Sequence, residues 1–519
     1  MYLNKLKWLI ITLSLNLEYF YLINYLNILY YITFYVFLIN ICISLIIWYG
    51  TKLYNWQNLL KTFSLSIILK FFFLLTLAIN CLIYIYIFVN YSYFLLINQL
   101  INFYNNYFVV NALTINFLKF NVQLSMDYFG LIFCILACLV GFLSFLALDS
   151  RLYWKNIKFL FMCNLLCFLI FLFISTTDIL LLLLFYESLL IPSFLFVYFV
   201  SPYRRATQAA LYFLIWTQLG SLLVLVAVGF IFYTVNSSSL FDVQYFIFSN
   251  FEIKFLYCLL FFGFGFKIPI WPFHHWLTKT HVEAPAGFSM FLSGFLVKSA
   301  IYGFYKLSNI LGGELNTTLF SIFLIIGVID ASFKMWGQTD LKKLIAFGTV
   351  QEMNLIFLTF CWGDTNLIWG GIIFSLTHAL LSSLLFYTVD CVQRRFHTRS
   401  LIEISGILLT MPNLGIIIFL NCVFYSGLPG TLKFLSELNI YNGLLECAPL
   451  SLLILLLGSN WLGLLGFSKC WFNALYGMTV STQKYLTIDL TLKEFLLIGF
   501  CYFGLIFFTY LNSFFFNFF

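Results

Sequence analysis

The chain has 519 residues, of which 63% are hydrophobic, 22% aromatic and 9% charged. Soluble proteins carry roughly 25% charged residues, so these are too few to coat a globule, and disorder, a coiled coil and a soluble multidomain enzyme are excluded together. A mean hydropathy of +1.01 and continuous runs such as CLIYIYIFV exclude an outer-membrane barrel, whose strands alternate over about ten positions, and the net charge of +7 forms no basic tract for a nucleic acid.

The remaining fold class is an all-α polytopic membrane protein. A spanning helix needs about 20 apolar residues, and about fourteen segments qualify. They lie near 26–49, 68–97, 126–148, 157–176, 178–200, 207–233, 255–276, 286–308, 317–336, 341–361, 367–389, 408–446, 449–466 and 493–515. Residues 8–25 are apolar enough for a further helix or an interfacial arm. The organisation reads as N-terminal membrane helices over 1–125, a membrane core over 126–466, and a loop with the last helix over 467–519. The 67 Phe and 33 Tyr residues exceed what interfacial anchoring requires. Codons rich in A and T produce that excess, which points to a compact organellar genome.

Early in the core, Cys134 with Cys138 and Cys163 with Cys167 repeat an i,i+4 spacing. Iron–sulfur clusters favour closely spaced loop cysteines, so these four read as small buried side chains. The chain is expected to hold no metal or redox cofactor. Loop charges orient the spans. The loops after odd-numbered spans carry fifteen basic residues: Lys52, Lys61, Arg151, Lys155, Lys158, Arg204, Arg205, Lys279, Lys342, Lys343, Arg394, Arg395, Arg399, Lys469 and Lys484. Those after even-numbered spans carry three, Lys119, Lys254 and Lys306. The positive-inside rule puts the first set on the inner side and the C-terminus on the outer side.

Two spans are interrupted by proline: the seventh, at KIPIWPFHHW, and the twelfth, at GLPGTLKF. Their separation by five helices is the signature of two inverted five-helix repeats, and paired interruptions point to an ion site near mid-membrane. Intramembrane charges cluster around them. A charge at the bilayer centre costs about 2.5–3.5 kcal/mol on insertion scales, so such residues are functional candidates. They are Glu187, Lys267, Lys298, Glu352, His378 and Glu437, which at ~1.5 Å of rise per residue read as a lateral chain of proton sites at similar depth. Lys334 has Asp330 one turn earlier, and Lys433 has Glu437 at i+4, so both read as local pairs. Glu187, Lys267 and Lys298 have no such neighbour, and opposite charges at one depth predict that Glu187 meets Lys267. His274, His275 and His281 invite a zinc reading, but adjacent histidines cannot face one ion from a helix, and a structural or proton-uptake role is preferred.

The motifs FYESLLIPSFLF, GFKIPIWPFHHWLTKTHVEAPAGFSMFLSGFLVKSAIYGFYK, QTDLKKLIAFGTVQEM, THALLSSLLFYTVD and GLPGTLKFLSEL resemble, in order, those of the NADH-ubiquinone oxidoreductase chain 4 family, the antiporter-like proton-pumping membrane subunits of respiratory complex I. The resemblance spans roughly residues 120–445. It implies that Glu187 modulates Lys267, that Lys298 relays protons, that His378 bridges, and that Glu437 is the exit-side site. It also implies a mitochondrial inner-membrane location. The implied partners are chain 2-like and chain 5-like antiporter subunits, supernumerary subunits and lipids such as cardiolipin, and partner subunits would bind NADH, FMN, iron–sulfur clusters and ubiquinone. The chain departs from the family at Glu352, where many similar sequences carry histidine. The expectation is that Glu352 acts as an acid paired with Lys298, between that lysine and His378, and that Glu352→His retains pumping; the alternative is a route through water, with Glu352 making only a local polar contact. A stand-alone Mrp-type cation/proton antiporter subunit and a membrane scaffold with purely structural charges are the alternatives.

Overall fold

A computed structural model of the chain describes residues 29, 32–45, 70–71, 73–88, 114–117, 120–148, 157–200, 204–311, 318–477 and 489–516. Residues 8–25 and the loop cations Lys52, Lys61, Lys119, Arg151, Lys155 and Lys484 lie outside the described residues. All fourteen apolar stretches contain helix among the described residues. Nine of those helices are long and apolar enough to cross a membrane. Their outward faces suit lipid: Leu211, Ile215, Leu219, Leu222 and Val226 form an exposed stripe along Arg204–Val235, a surface that water would penalise. Three are instead buried nearly all round, Ala286–Leu311, Leu341–Trp362 and Thr365–Phe396. These three carry Lys298, Glu352 and His378.

The chain divides into two compact units, 1–138 with 154–185, and 139–153 with 186–519. In the first, Phe34, Phe37 and Tyr84 pack on Phe171 with centroids 5.8–6.4 Å apart. Cys134, Cys138, Cys163 and Cys167 are free and buried there, as small apolar side chains should be. In the second, the core gathers Leu344, Phe386, Ile418, Trp471 and Ile498 from five helices. The last helix, Leu492–Phe516, is held by Glu494, which pairs with Arg395 at 2.6 Å.

Several local features depart from the sequence reading. The fold is not wholly helical: Thr114–Phe117 pairs antiparallel with Phe120–Gln123, Ile115 opposite Val122. Both segments alternate polar and apolar residues, the two-residue period of a strand. The fifth span is divided at Leu189 into Ile179–Ser188 and Leu190–Val200, because Pro192 lacks an amide and crowds the carbonyl four residues back. Ser193 Oγ donates to the Leu189 carbonyl there at 2.9 Å. The seventh span starts at Asn250, five residues before its apolar run, because Ser249 and Glu252 form a capping box. The eighth span contains a π-helical segment, Leu292–Leu296, one residue before Val297 and two before Lys298.

Candidate functional site

Both proline interruptions open the backbone, and the groups they free set the site. In the first, helix ends at Lys267 and resumes at His275. The Phe266 carbonyl accepts Trp276 Nε1–H at 2.8 Å, and the Pro269 carbonyl accepts Asn354 Nδ2–H at 3.2 Å. The break is thus braced by its own second half and by the buried tenth span. In the second, Pro429 has no amide to give the carbonyl of Tyr425, four residues earlier. Lys433 Nζ donates to that carbonyl instead, at 2.6 Å. Gly427 and Gly430 turn the chain with φ of +72° and +93°, and the Thr431 hydroxyl accepts from the Phe434 amide to start the second half.

Lys267 is buried with its ammonium 4.0 Å from the centroid of the Tyr186 ring, a cation–π contact. A cavity of about 10 Å³ adjoins it, lined among others by Ser193, Thr217 and Trp276. The expected meeting of Glu187 with Lys267 is absent: no ion pair joins them among the described residues, and the ring of Tyr186, next to Glu187 in sequence, occupies the ammonium instead. Equal depth does not fix which side chain faces the ammonium, because that depends on how the helix is rotated.

The remaining charges form a file with two short contacts and two gaps of 3.8 Å. Lys298, fully buried, donates to the Ser293 carbonyl at 2.7 Å and lies 2.8 Å from His378 Nδ1. The other ring nitrogen, His378 Nε2, is 3.8 Å from Glu352 Oε2. Glu352 Oε1 accepts from Lys433 Nζ at 2.6 Å, and Lys433 is 3.8 Å from Glu437 Oε1. The structure therefore reorders the expected sequence of groups. Glu352 does not pair with Lys298 and stand between that lysine and His378. The imidazole stands between Lys298 and Glu352, and the carboxylate pairs with Lys433.

Lys433 was legible only as an i,i+4 partner of Glu437. Its contact with Glu352 crosses 81 residues, and the one local signal for it is Pro429 freeing an acceptor within its reach. Lys334 does pair with Asp330, at 2.6 Å. The three histidines do not converge. His274 lies 3.0 Å from Lys334 Nζ, while His281 is fully buried, stacked on Phe386 with centroids 4.6 Å apart. No group of three His, Cys, Asp or Glu side chains that could hold a metal occurs among the described residues.

With Lys298 as an ammonium, three donors and no acceptor, Nδ1 of a neutral His378 must be the acceptor. The ring proton then sits on Nε2, facing the Glu352 carboxylate. A proton taken up at Nδ1 and released from Nε2 crosses the imidazole without the ring leaving its place, which is the chemistry of a proton wire.

Known proteins share the sequence pattern and the fold of the chain. The sequence pattern of the family described as NADH:quinone oxidoreductase/Mrp antiporter, TM, matches residues 176–463. The chain is 43% identical over 395 residues to NADH-ubiquinone oxidoreductase chain 4 of Paramecium tetraurelia, covering 75% of this chain and 82% of that one. It is 29% identical over 402 residues to the chain 4 of Acanthamoeba castellanii, covering 74% and 78%. Its fold is similar to a chain of respiratory complex I from Thermus thermophilus with bound NADH, with a TM-score of 0.70 at 20% identity, covering 85% of this chain and 93% of that one. It is also similar to a chain of the Mrp complex from Dietzia sp. DQ12-45-1b, with a TM-score of 0.74 at 15% identity, covering 86% and 81%.

Proposed function

Because the chain belongs to the NADH-ubiquinone oxidoreductase chain 4 family, we propose that its buried file of charges conducts protons laterally through the middle of the membrane. The chain is a proton-translocating membrane subunit of NADH:ubiquinone oxidoreductase. Residues 126–466 are its translocating core. Lys267 and Lys298 are the first cations of the route, and Glu187 acts on Lys267 through its field from the position beside Tyr186. His378 passes the proton from Lys298 to Glu352, and Glu437 releases it toward the outer side. The observation that carries this reading is the Lys298–His378 contact at 2.8 Å, with Glu352 on the opposite edge of the same ring.

The location is the mitochondrial inner membrane, with the basic loops in the matrix and the C-terminus in the intermembrane space. The fifteen-to-three division of loop cations supports that orientation. Chain 2-like and chain 5-like antiporter subunits, supernumerary subunits and lipids such as cardiolipin cover the exposed apolar faces. NADH, FMN, iron–sulfur clusters and ubiquinone belong to partner subunits. The stand-alone antiporter reading shares the fold, while the 43% identity is to a complex I chain.

Native isolation tests the assembly. The chain is expected to co-purify with NADH-oxidising activity, flavin and iron–sulfur partners, and a small assembly lacking all three would overturn the reading. Limited proteolysis of mitoplasts is expected to clip the C-terminal tail and spare the loop around Arg394–Arg399; the reverse pattern would refute the orientation.

A further inference from the structure

We propose that Lys433 is itself a proton-transfer group of this chain, a cation that passes its ion pair and its proton from Glu352 to Glu437. This deepens the proposed function and rests on it. Three acceptors surround the buried ammonium. Glu352 Oε1 and the Tyr425 carbonyl are each 2.6 Å away, and Glu437 Oε1 is 3.8 Å away. An ammonium has three donors, so two are engaged and the third faces Glu437 across a gap about 1 Å longer than a charge-assisted hydrogen bond of ~2.8 Å. The Tyr425 ring, with its centroid 4.0 Å from the same nitrogen, supports the cation while partners change. A cavity of about 20 Å³ opens beside Lys433, Glu352 and Glu437 and is lined also by Gln351, Tyr441 and Asn460. That is room for one water, and it gives the side chain space to move.

Charge balance turns this geometry into a transfer device. Two carboxylates share one ammonium, which leaves one negative charge uncompensated in a buried site, where such charge is costly. One proton on the group removes it. In the resting pair Glu352 is ionised and Lys433 is an ammonium. When His378 delivers a proton from Nε2 to Glu352, the carboxylate becomes a carboxylic acid and its hold on the ammonium ends. Lys433 then closes on ionised Glu437 and gives it a proton, becoming a neutral amine. The amine takes the proton of the Glu352 carboxyl, which restores the original pair. One proton has moved from His378 to Glu437, and Lys433 and Glu352 end as they began. The bland role for Lys433 is a fixed counter-ion that neutralises Glu352 and caps the Tyr425 carbonyl. The two roles differ in one respect: only a transfer group must lose its proton.

Arginine separates them, since it keeps the charge and both hydrogen bonds but does not deprotonate in proteins. Lys433→Arg is to be measured in the assembled, membrane-reconstituted complex as NADH-driven proton movement, with Lys298→Met in parallel. The expected result is normal assembly with the protons moved per NADH oxidised lowered in Lys433→Arg as far as in Lys298→Met. An unaltered ratio overturns the proposal. If the arginine variant does not assemble, the double variant Glu352→Gln with Lys433→Met, neutral at both positions, decides. Assembly with the ratio lowered as far as in Lys298→Met supports transfer through the pair, and an unaltered ratio overturns it. Loss in Lys298→Met beside normal pumping in Lys433→Arg removes only the role of Lys433, whereas normal pumping in Lys298→Met removes the proposed function as well.

Discussion

Lys298 Nζ lies 2.8 Å from His378 Nδ1 although 80 residues separate them in the chain. Their helices are pinned in register close by, where Ser293 Oγ donates to Ser382 Oγ at 3.1 Å. Ser293 belongs to the π-helical segment Leu292–Leu296, and its carbonyl accepts a second hydrogen bond from Lys298. The lysine is thus aimed at the imidazole from within its own helix. His378→Gln tests what the ring contributes. Glutamine keeps an acceptor for the ammonium but cannot take up and pass on a proton. Assembly should be retained and the protons moved per NADH oxidised should fall; an unaltered ratio would make the ring passive.

Glu352→His gives an outcome opposite to the one the sequence alone suggests. A histidine at this position removes the carboxylate that Lys433 contacts at 2.6 Å. Breaking a buried pair by removing one partner costs about 3–5 kcal/mol. The single variant should therefore assemble poorly, read as the amount of intact complex on a native gel. Adding Lys433→Asn, which removes the stranded cation, should recover assembly. Full assembly and pumping in the single variant would contradict the pairing.

Gly427 carries a third prediction. Its φ of +72° suits glycine, and a Cβ there would stand 3.1 Å from Glu437 Oε2. Gly427→Ala combines an unfavourable backbone, costing about 1–2 kcal/mol, with pressure on the last acid of the file. Lower thermal stability of the complex together with reduced pumping is expected. Gly229→Ala is the control, because nothing lies within 4 Å of a Cβ built there, and its stability and pumping should stay unaltered.

The last helix depends on one buried carboxylate. Glu494 pairs with Arg395 at 2.6 Å, and the same guanidinium donates to the Asp489 carbonyl at 3.1 Å. Asp489 in turn accepts from the amides of Asn413 and Leu414, at the start of the helix that leads into the second break. Glu494→Ala removes charge-assisted hydrogen bonds worth about 1.5–3 kcal/mol. A lower melting temperature of the purified complex should follow, with per-complex pumping retained in what remains folded.

Much of this was legible because it is local. Apolar runs longer than a membrane is thick marked the helices, proline in GLPGT marked the second break, and the spacing of Asp330 and Lys334 marked their ion pair. Contacts that cross long stretches of chain were not legible. Depth along a helix follows from residue count, but the face that a side chain presents depends on how its helix is rotated against neighbours. Lys267 accordingly rests on Tyr186 instead of meeting Glu187, and Glu352 turns to Lys433 while His378 takes Lys298. The π-helical segment before Lys298 carries no proline or charge to announce it. The strand pair Thr114–Phe117 and Phe120–Gln123 was not legible because its alternation of polar and apolar residues spans only four residues on each strand.

The most direct test of the central claim is the number of protons moved per NADH oxidised by the purified complex in sealed vesicles, with Lys298→Met in this chain. Methionine fills similar space but carries no proton, so His378 loses the donor it contacts at 2.8 Å. The file account predicts an assembled complex whose ratio of protons to NADH falls below that of the unaltered enzyme, with proton movement through this subunit gone. An unaltered ratio at an unaltered rate of NADH oxidation would contradict it.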